Sequence, residues 1–353
     1  MNNSFGNNII LSVFGASHGE HVGCTLRGLP AGLPVCESVI KHYLDLRRPE
    51  GEISTSRCEP DAFVIESGVT NGITDGGEVR IVIPNVRQNG ADYVGIKGLA
   101  RPSHADYTRF VKYGETAPGG GLFSGRSTAA LVAAGALLTP YLKSKGVFIG
   151  THIKSIAGAE DREFGDYLYD ISALYGKTFA VLDDTAGEEM KKRILAAKAQ
   201  GDSVGGVLET AVTGVAPGVG EPYFDSIESM LSHALFSIPG VKGVEFGAGF
   251  AFAKMLGSEA NDAFYTKNGK IYTETNNSGG INGGMANGMP IVFRCALRPA
   301  PTVAVPQRTV NLETGENAVI KAEGRHDPCF VHRARAAVDC ITAFVLADFY
   351  AGK

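Results

Sequence analysis

Apolar and polar residues alternate along this chain in short blocks whose period shifts between two and about 3.6. Residues 8–14 and 22–29 are apolar and partly alternating, which predicts two strands. Residues 38–48 carry apolar side chains at Val39, Ile40, Tyr43 and Leu44 and end on arginines, the pattern of a helix with a basic C-terminus. Residues 62–66 and 79–83 predict short strands. Residues 128–142 are rich in Ala and Leu and predict a buried helix disturbed by Pro140. Beyond it, 147–156 predicts a strand, and 188–199 an amphipathic helix with Glu188–Lys192 and Glu189–Arg193 pairs at i,i+4. Then come a strand at 204–212, a helix at 226–236 and strands at 241–246 and 291–297. A final helix at 333–349 is apolar at Ala337, Val338, Ile341, Phe344 and Val345.

Strands and helices thus alternate throughout, so helices must cover sheet faces in an α/β or α+β fold. The length, 353 residues, admits two domains or one large one. No linker rich in Pro, Ser or charge divides the chain, so residues 1–353 read as a single domain. One weak internal echo exists. Val22-Gly23-Cys24-Thr25-Leu26, followed by Gly28 to Leu33, resembles Val204-Gly205-Gly206-Val207-Leu208, followed by Gly214 to Val219. It fits two similar halves.

Composition narrows the function. With 44% hydrophobic and 20% charged residues the chain is ordinary for a globular protein, which excludes wholesale disorder. No apolar run approaches the ~20 residues that span a bilayer, and Met1 to Asn8 lacks the charged and apolar regions of a signal peptide. A soluble cytoplasmic protein is the expectation, with no membrane partner. A net charge of −4 without any basic block speaks against nucleic acid. Cys24, Cys36, Cys58, Cys295, Cys329 and Cys340 form no Cys-x-x-Cys pair and read as reduced packing residues rather than a metal site. Glycine is the outlier. Its 46 residues cluster between apolar runs, where tight turns form or backbone approaches a ligand.

Nucleotide and hydrolase signatures fail. Gly176-Lys177-Thr178 lacks the first glycine of a Walker loop, Gly119-x-Gly121 lacks the third glycine of a Rossmann loop, and no Gly-x-Ser-x-Gly elbow precedes a helix. Four polar stretches remain. Phe14-Gly15-Ala16-Ser17-His18-Gly19-Glu20 follows a strand and places a histidine in an accessible turn, able to give or take a proton. Arg101-Pro102-Ser103-His104-Ala105-Asp106-Tyr107 sets a second histidine between groups that tune it, or opens a helix capped by Ser103. Gly119-Gly120-Gly121 through Ser124-Gly125-Arg126 leads into the alanine-rich helix, where backbone N–H groups and Arg126 suit an anion. Gly324-Arg325-His326-Asp327-Pro328-Cys329 precedes the last helix, with Asp327 as its cap or as a proton relay. Arg47, Arg48 and Arg57 flank a Pro/Gly turn, and Arg333 and Arg335 start the final helix; guanidinium forks suit carboxylates and phosphates.

Taken together and in this order, the stretches resemble the chorismate synthase family. The resemblance rests further on Gly28-Leu29-Pro30-Ala31-Gly32-Leu33-Pro34, Arg47-Arg48-Pro49, Ser67-Gly68-Val69, Gly201-Asp202-Ser203-Val204-Gly205-Gly206 and the run from Ser237 to Gly247. It implies an α+β fold, a single large β-α-β sandwich domain with internal pseudo-symmetry, and a homotetramer. It implies the 1,4-elimination of phosphate and a ring proton from 5-enolpyruvylshikimate-3-phosphate, a small anionic substrate, with reduced FMN required but not consumed.

By matching motif positions, His18 would protonate the departing phosphate, His104 would protonate the reduced flavin, and Asp327 would help move the ring proton. Ser17 and Ser124 would support these transfers. Arg48, Arg57, Arg126 and Arg333 would hold substrate anions. Flavin would contact Arg47, Ser124, Pro239, Gly240, Gly283, Arg298, Pro299, Ala300, Pro301, Thr302 and Arg325. This chain departs from the family pattern at Leu122 and Phe123, where an arginine near the flavin phosphate is lost. It departs again at Glu52, His332 and Asp339. Two rivals stand beside this reading: a non-catalytic flavin- or metabolite-binding homologue, and a net oxidoreductase.

Overall fold

The computed structural model describes residues 2–55, 59–86, 98–116, 119–321 and 327–352. Two five-stranded antiparallel sheets enclose helices. In chain order the first sheet holds β1 (Ser4–Phe5), β2 (Ile10–Gly15), β3 (His21–Arg27), β4 (Val64–Ser67) and β5 (Val79–Pro84), in the spatial order β1-β2-β3-β5-β4. Helix α1 (Glu37–Leu46) lies between β3 and β4 in sequence, and α2 (Asp106–Tyr113) and α3 (Thr128–Ser144) follow β5. The second sheet holds β6 (Phe148–Ile156), β7 (Ala159–Glu160), β8 (Gly206–Thr213), β9 (Val241–Phe246) and β10 (Ile291–Leu297), ordered β9-β10-β8-β6-β7. Its helices are α4 (Tyr167–Leu174), α5 (Asp184–Ala199), α6 (Ile227–Leu235) and α7 (Val331–Ala351).

The two sheets repeat one plan. The run β2-β3-α1-β4-β5 ending in α3 recurs as β6-β8-α6-β9-β10 ending in α7, and the strand order β2-β3-β5-β4 recurs as β6-β8-β10-β9. The sequence echo at Val22 and Val204 falls on β3 and on the entry to β8, the middle strand of each sheet. In both repeats a long stretch separates the last strand from the long helix, residues 85–127 in one and 298–330 in the other. His104, Ser124, Arg126, Arg298, Thr302 and Asp327 fall in these two stretches, whereas Ser17, His18, Arg47 and Arg333 lie outside them.

Helix α3 packs on the first sheet, α7 on the second, and the two helices on each other. Every residue from 129 to 139 of α3 and from 335 to 348 of α7 is buried, as a helix enclosed on all sides demands. The predicted disturbance at Pro140 does not break α3, which runs on to Ser144. Packing along the whole helix outweighs one missing hydrogen bond. On the outer face of the second sheet, register aligns His152, Glu209, Arg294 and Glu245 across four strands. His152 sits buried between Asp161 at 2.8 Å and Glu209 at 3.0 Å. Burial alone would lower its pKa, but these two carboxylates raise it.

Helix α4 escaped the sequence reading because it is short, whereas α2 is the helix that the stretch from Arg101 to Tyr107 is able to open. Ser103 does not cap α2, which starts after Ala105; Ser103 sits at φ +59 instead. Nor does Asp327 cap α7, which starts after Phe330 without a side-chain cap. Of the pairs expected on α5, Glu189–Arg193 forms at 3.1 Å, whereas Glu188 pairs with Lys191 at 2.8 Å, three residues on.

The helix crossing tolerates no bulk. A Cβ at Gly135 would lie 1.8 Å from the Cys340 carbonyl oxygen, backbone against backbone. Gly135→Ala is therefore expected to force α3 and α7 apart and to lower stability by about 1–3 kcal/mol or more, read by denaturant unfolding. Two buried titratable groups of α7 make opposing pH contributions. Burial holds His332 down at about 4, so the unfolded chain takes the proton first and stability falls as pH drops from ~6.5 to 4. Burial lifts Asp339 to about 6, so the folded chain takes the proton first and stability falls as pH rises from ~4 to 6. His332→Leu should then remove an acid penalty of about 3 kcal/mol between pH 7 and 4, and Asp339→Asn should steepen the loss on acidification. Urea midpoints across that range measure both; an unchanged pH profile in His332→Leu contradicts the assignment.

Candidate active site

The turn after β2 opens at Gly15 with φ +83 and carries Ser17 and His18. Asn85, just past β5, fixes it. Its Nδ2 donates to the carbonyls of Ala16 at 3.0 Å and Gly19 at 2.8 Å, on either side of Ser17 and His18, and its backbone N–H donates to Glu20 at 2.9 Å. The same side chain accepts a bond from Arg126 Nε at 2.8 Å through Oδ1. One amide thus sets His18 relative to Arg126. The far side of His18 is closed by Gly119, where a Cβ would lie 2.2 Å from the imidazole Nε2. Gly120 likewise has no room for a Cβ beside Ser124. Ser124 Oγ accepts the Arg126 backbone N–H at 3.2 Å and caps the short turn that precedes α3.

Arg126 also donates to Asp61, which accepts a second bond from Arg47 at the end of α1. Asp61 lies in a turn at φ +50 with its carboxylate wholly buried. Arg48 reaches the neighbouring Pro60 carbonyl at 3.4 Å and pairs with Asp45 at 2.9 Å. Arg333 in the first turn of α7 pairs with Asp327. Burial, and then the nearby charge of Arg47, bring Arg333 down to about 10. Among the described residues, Ser17 Oγ, Asp327 Oδ1 and Arg333 Nε are buried without a hydrogen-bond partner.

His104 anchors a second group. The Pro102 carbonyl lies 3.1 Å from Nδ1 and can only accept, so Nδ1 carries the proton. Thr302 Oγ1, 3.1 Å from Nε2, then donates to the neutral ring. Burial, and next the charge of Arg101, lower the His104 pKa, so the resting imidazole is neutral. Arg101 grips Asp106 with Nε and Nη2, each at 2.7 Å, and reaches the Gly119 carbonyl at 3.3 Å, joining the His104 turn to the wall behind His18. Arg298 donates to the Ser103 carbonyl at 2.7 Å, and its backbone N–H to Gly240 at 3.0 Å. Ser203 holds the Ala300 carbonyl at 2.6 Å, and Gly201 accepts from Ala304 at 2.8 Å, so the 201–206 turn backs the run from Arg298 to Thr302. Pro239 leads into Gly240, and Pro299 and Pro301 stiffen the run.

Most sequence-derived positions therefore converge. Two do not test: Arg57 and Arg325 lie outside the described residues. Gly283 lies at a hairpin tip, where a Cβ would meet nothing within 4 Å. Arg335 does not join Arg333 but turns to the Leu174 carbonyl at 3.0 Å. Leu122 and Phe123 are exposed on the turn Gly121–Phe123, Glu52 is exposed, and its carbonyl accepts Lys198. Asp61 and Asn85 went unnoticed in the sequence because each is a lone polar residue after a proline, with partners 14 to 69 positions away.

A family model described as chorismate synthase matches residues 9–351. The chain belongs to the chorismate synthase family. Chorismate synthases of Methanocella arvoryzae and Parabacteroides distasonis are 42% and 41% identical to it, over 98% of this chain and 93% and 97% of theirs. A crystal structure of a chorismate synthase superposes with a TM-score of 0.75 at 29% identity, covering 98% of this chain and 92% of that one. The α+β fold and the reaction expected from the motifs hold. The chain is a carbon–oxygen lyase of the shikimate pathway that eliminates phosphate from 5-enolpyruvylshikimate-3-phosphate to give chorismate. No helix among the described residues is long and apolar enough to cross a membrane.

Asn85→Ala should leave the fold intact and release the His18 turn from Arg126. Turnover is expected to fall about 10²-fold, the scale of a small misplacement of reacting groups. Steady-state kinetics beside a thermal melt check this; a loss of stability large enough to account for the lost activity would contradict it.

Proposed function

We propose that residues 1–353 act as one domain in a cytoplasmic homotetramer that requires reduced FMN, with the residues above in defined roles. The observation that carries this reading is the cluster of Arg47, Arg126 and Arg333 around Asp61 and Asp327, with Ser17 Oγ, Asp327 Oδ1 and Arg333 Nε buried and unmet. Guanidinium groups outnumber carboxylates there, which fits anionic ligands: a substrate with two carboxylates and a phosphate, and a flavin nucleotide.

Arg48, Arg126 and Arg333 hold the substrate anions, and Arg57 belongs with them by motif. In the elimination the carbon–oxygen bond breaks, the phosphate leaves with the electron pair, and a ring proton departs as a double bond forms. His18 donates a proton to the departing phosphate, so developing negative charge meets both a proton donor and guanidinium groups. Asp327 has one oxygen held by Arg333 and the other unmet, and it helps move the ring proton. His104 takes its proton on Nε2, where Thr302 donates at rest, once an anion beside it offsets Arg101. Ser17 and Ser124 orient these groups by hydrogen bonds. Ser124, Pro239, Gly240, Gly283 and the run from Arg298 to Thr302 would hold the flavin, with Arg47 and Arg325. Reduced FMN, when bound, supplies electrons that ease carbon–oxygen cleavage and is not consumed. Strongly exposed aromatic residues, Tyr223, Phe224 and Phe250, support assembly with further copies.

The test is anaerobic. Purified protein, chemically reduced FMN and 5-enolpyruvylshikimate-3-phosphate should release chorismate and phosphate in equal amounts, and none with oxidised FMN. Tight flavin binding without product would instead favour a binding protein, and NAD(P)H oxidation with free FMN and no substrate would favour an oxidoreductase. His104→Ala should keep the assembly and lose about 10²–10⁴-fold in turnover. Near-full activity in that variant removes His104 from the mechanism.

A further inference from the structure

A cavity of about 360 Å³ lies between α1, the end of α3, β6, α4 and the first half of α7. That volume is within the range of small-molecule sites, about 300–1,000 Å³. Its walls are largely apolar, with Leu142, Ile149 and Ile171 among them, and none of its lining residues belongs to the cluster around Asp61.

Two charged residues line it one helical turn apart on α7. Arg335 and Asp339 are only 2% and 5% exposed. Arg335 uses Nη1 on the Leu174 carbonyl and Thr151 hydrogen-bonds the Asp339 carboxylate, but among the described residues Arg335 Nε and Asp339 Oδ1 have no partner. A buried N–H donor and a buried carboxylate oxygen left unmet are costly to fold around. Nothing in the elimination uses either group. Both residues line the cavity, so a head group placed in it lies next to them. At the rim, Lys143 Nζ stands 4.9 Å from the Tyr175 ring, a further cation beside Arg335. The complement of such a wall is one carboxylate, one ammonium and an apolar body. A plain amine would face two cations and one carboxyl; a plain acid would leave Asp339 Oδ1 without a donor.

We propose that this cavity is a second small-molecule site and that it takes an α-amino acid with an apolar side chain. The carboxylate meets Arg335, the ammonium meets Asp339, and the side chain lies against Leu142, Ile149 and Ile171.

Calorimetric titration of the full chain tests this with L-phenylalanine, 3-phenylpropionate and 2-phenylethylamine. L-Phenylalanine should bind once per chain and at least about tenfold more tightly than either single-headed probe. Ser172→Trp places bulk at the exposed mouth, so it should abolish that binding without changing the thermal melt. Asp339→Asn should bring L-phenylalanine down to the level of 3-phenylpropionate; if that variant fails to fold, Ser172→Trp decides. Absence of L-phenylalanine binding at ~10 mM, equal binding of all three probes, or undiminished binding to Ser172→Trp overturns the proposal. The readout is heat of binding, so it is independent of turnover and of flavin.

Discussion

A single buried carboxylate makes the anion site possible. Arg47 and Arg126 come from distant parts of the first repeat, and the carboxylate of Asp61 pairs with both. Removing one partner of such a buried set is strongly destabilising, on the order of 3–5 kcal/mol. Asp61 lies in a left-handed turn that presents its carboxylate to both arginines. Arg333 adds a third guanidinium group against the carboxylates of Asp61 and Asp327, and burial, then the charge of Arg47, brings its pKa down to about 10. That imbalance is what the proposed function assigns to an anionic substrate. The protein uses the same interleaving in the second sheet, where His152 is held between Asp161 and Glu209. There the charges are satisfied and the site is closed; around Asp61 they are left short.

The elements with strong periodicity were legible in the sequence. The strands β2 to β6 and β8 to β10 and the helices α1, α3, α5, α6 and α7 lie where apolar spacing placed them, within a few residues. The weak echo at Val22 and Val204 marked the centre of each sheet. What periodicity could not show was where polar side chains of distant segments meet. Asn85 joins the Ser17–His18 turn to Arg126, and Asp61 joins α1 to the segment before α3. Each is a single residue without a pattern. Arg335 shows the reverse error: two residues from Arg333 on the same helix, it points to a different neighbour because a helix turns about 200° over two residues.

The repeat explains where the chemistry sits. In each half, the stretch between the last strand and the long helix carries the polar motifs. The first half supplies His104, Ser124 and Arg126, and the second supplies Arg298, Thr302 and Asp327. His104 meets Thr302 across 198 residues of sequence because equivalent connections of the two halves face each other. The arrangement lets one framework, used twice, hold two unlike sets of groups.

The pairing of α3 with α7 has a consequence for the order of events as the chain is made. Helix α3 is apolar on every side and is complete at residue 144, yet its partner ends at residue 351. During synthesis the first sheet can cover one side of α3, but its other side stays open to water or to other chains until more than two hundred further residues have emerged. The interval is one in which exposed apolar surface invites misassembly. The chain therefore depends on a late event, the docking of its last long helix, to protect an element built early.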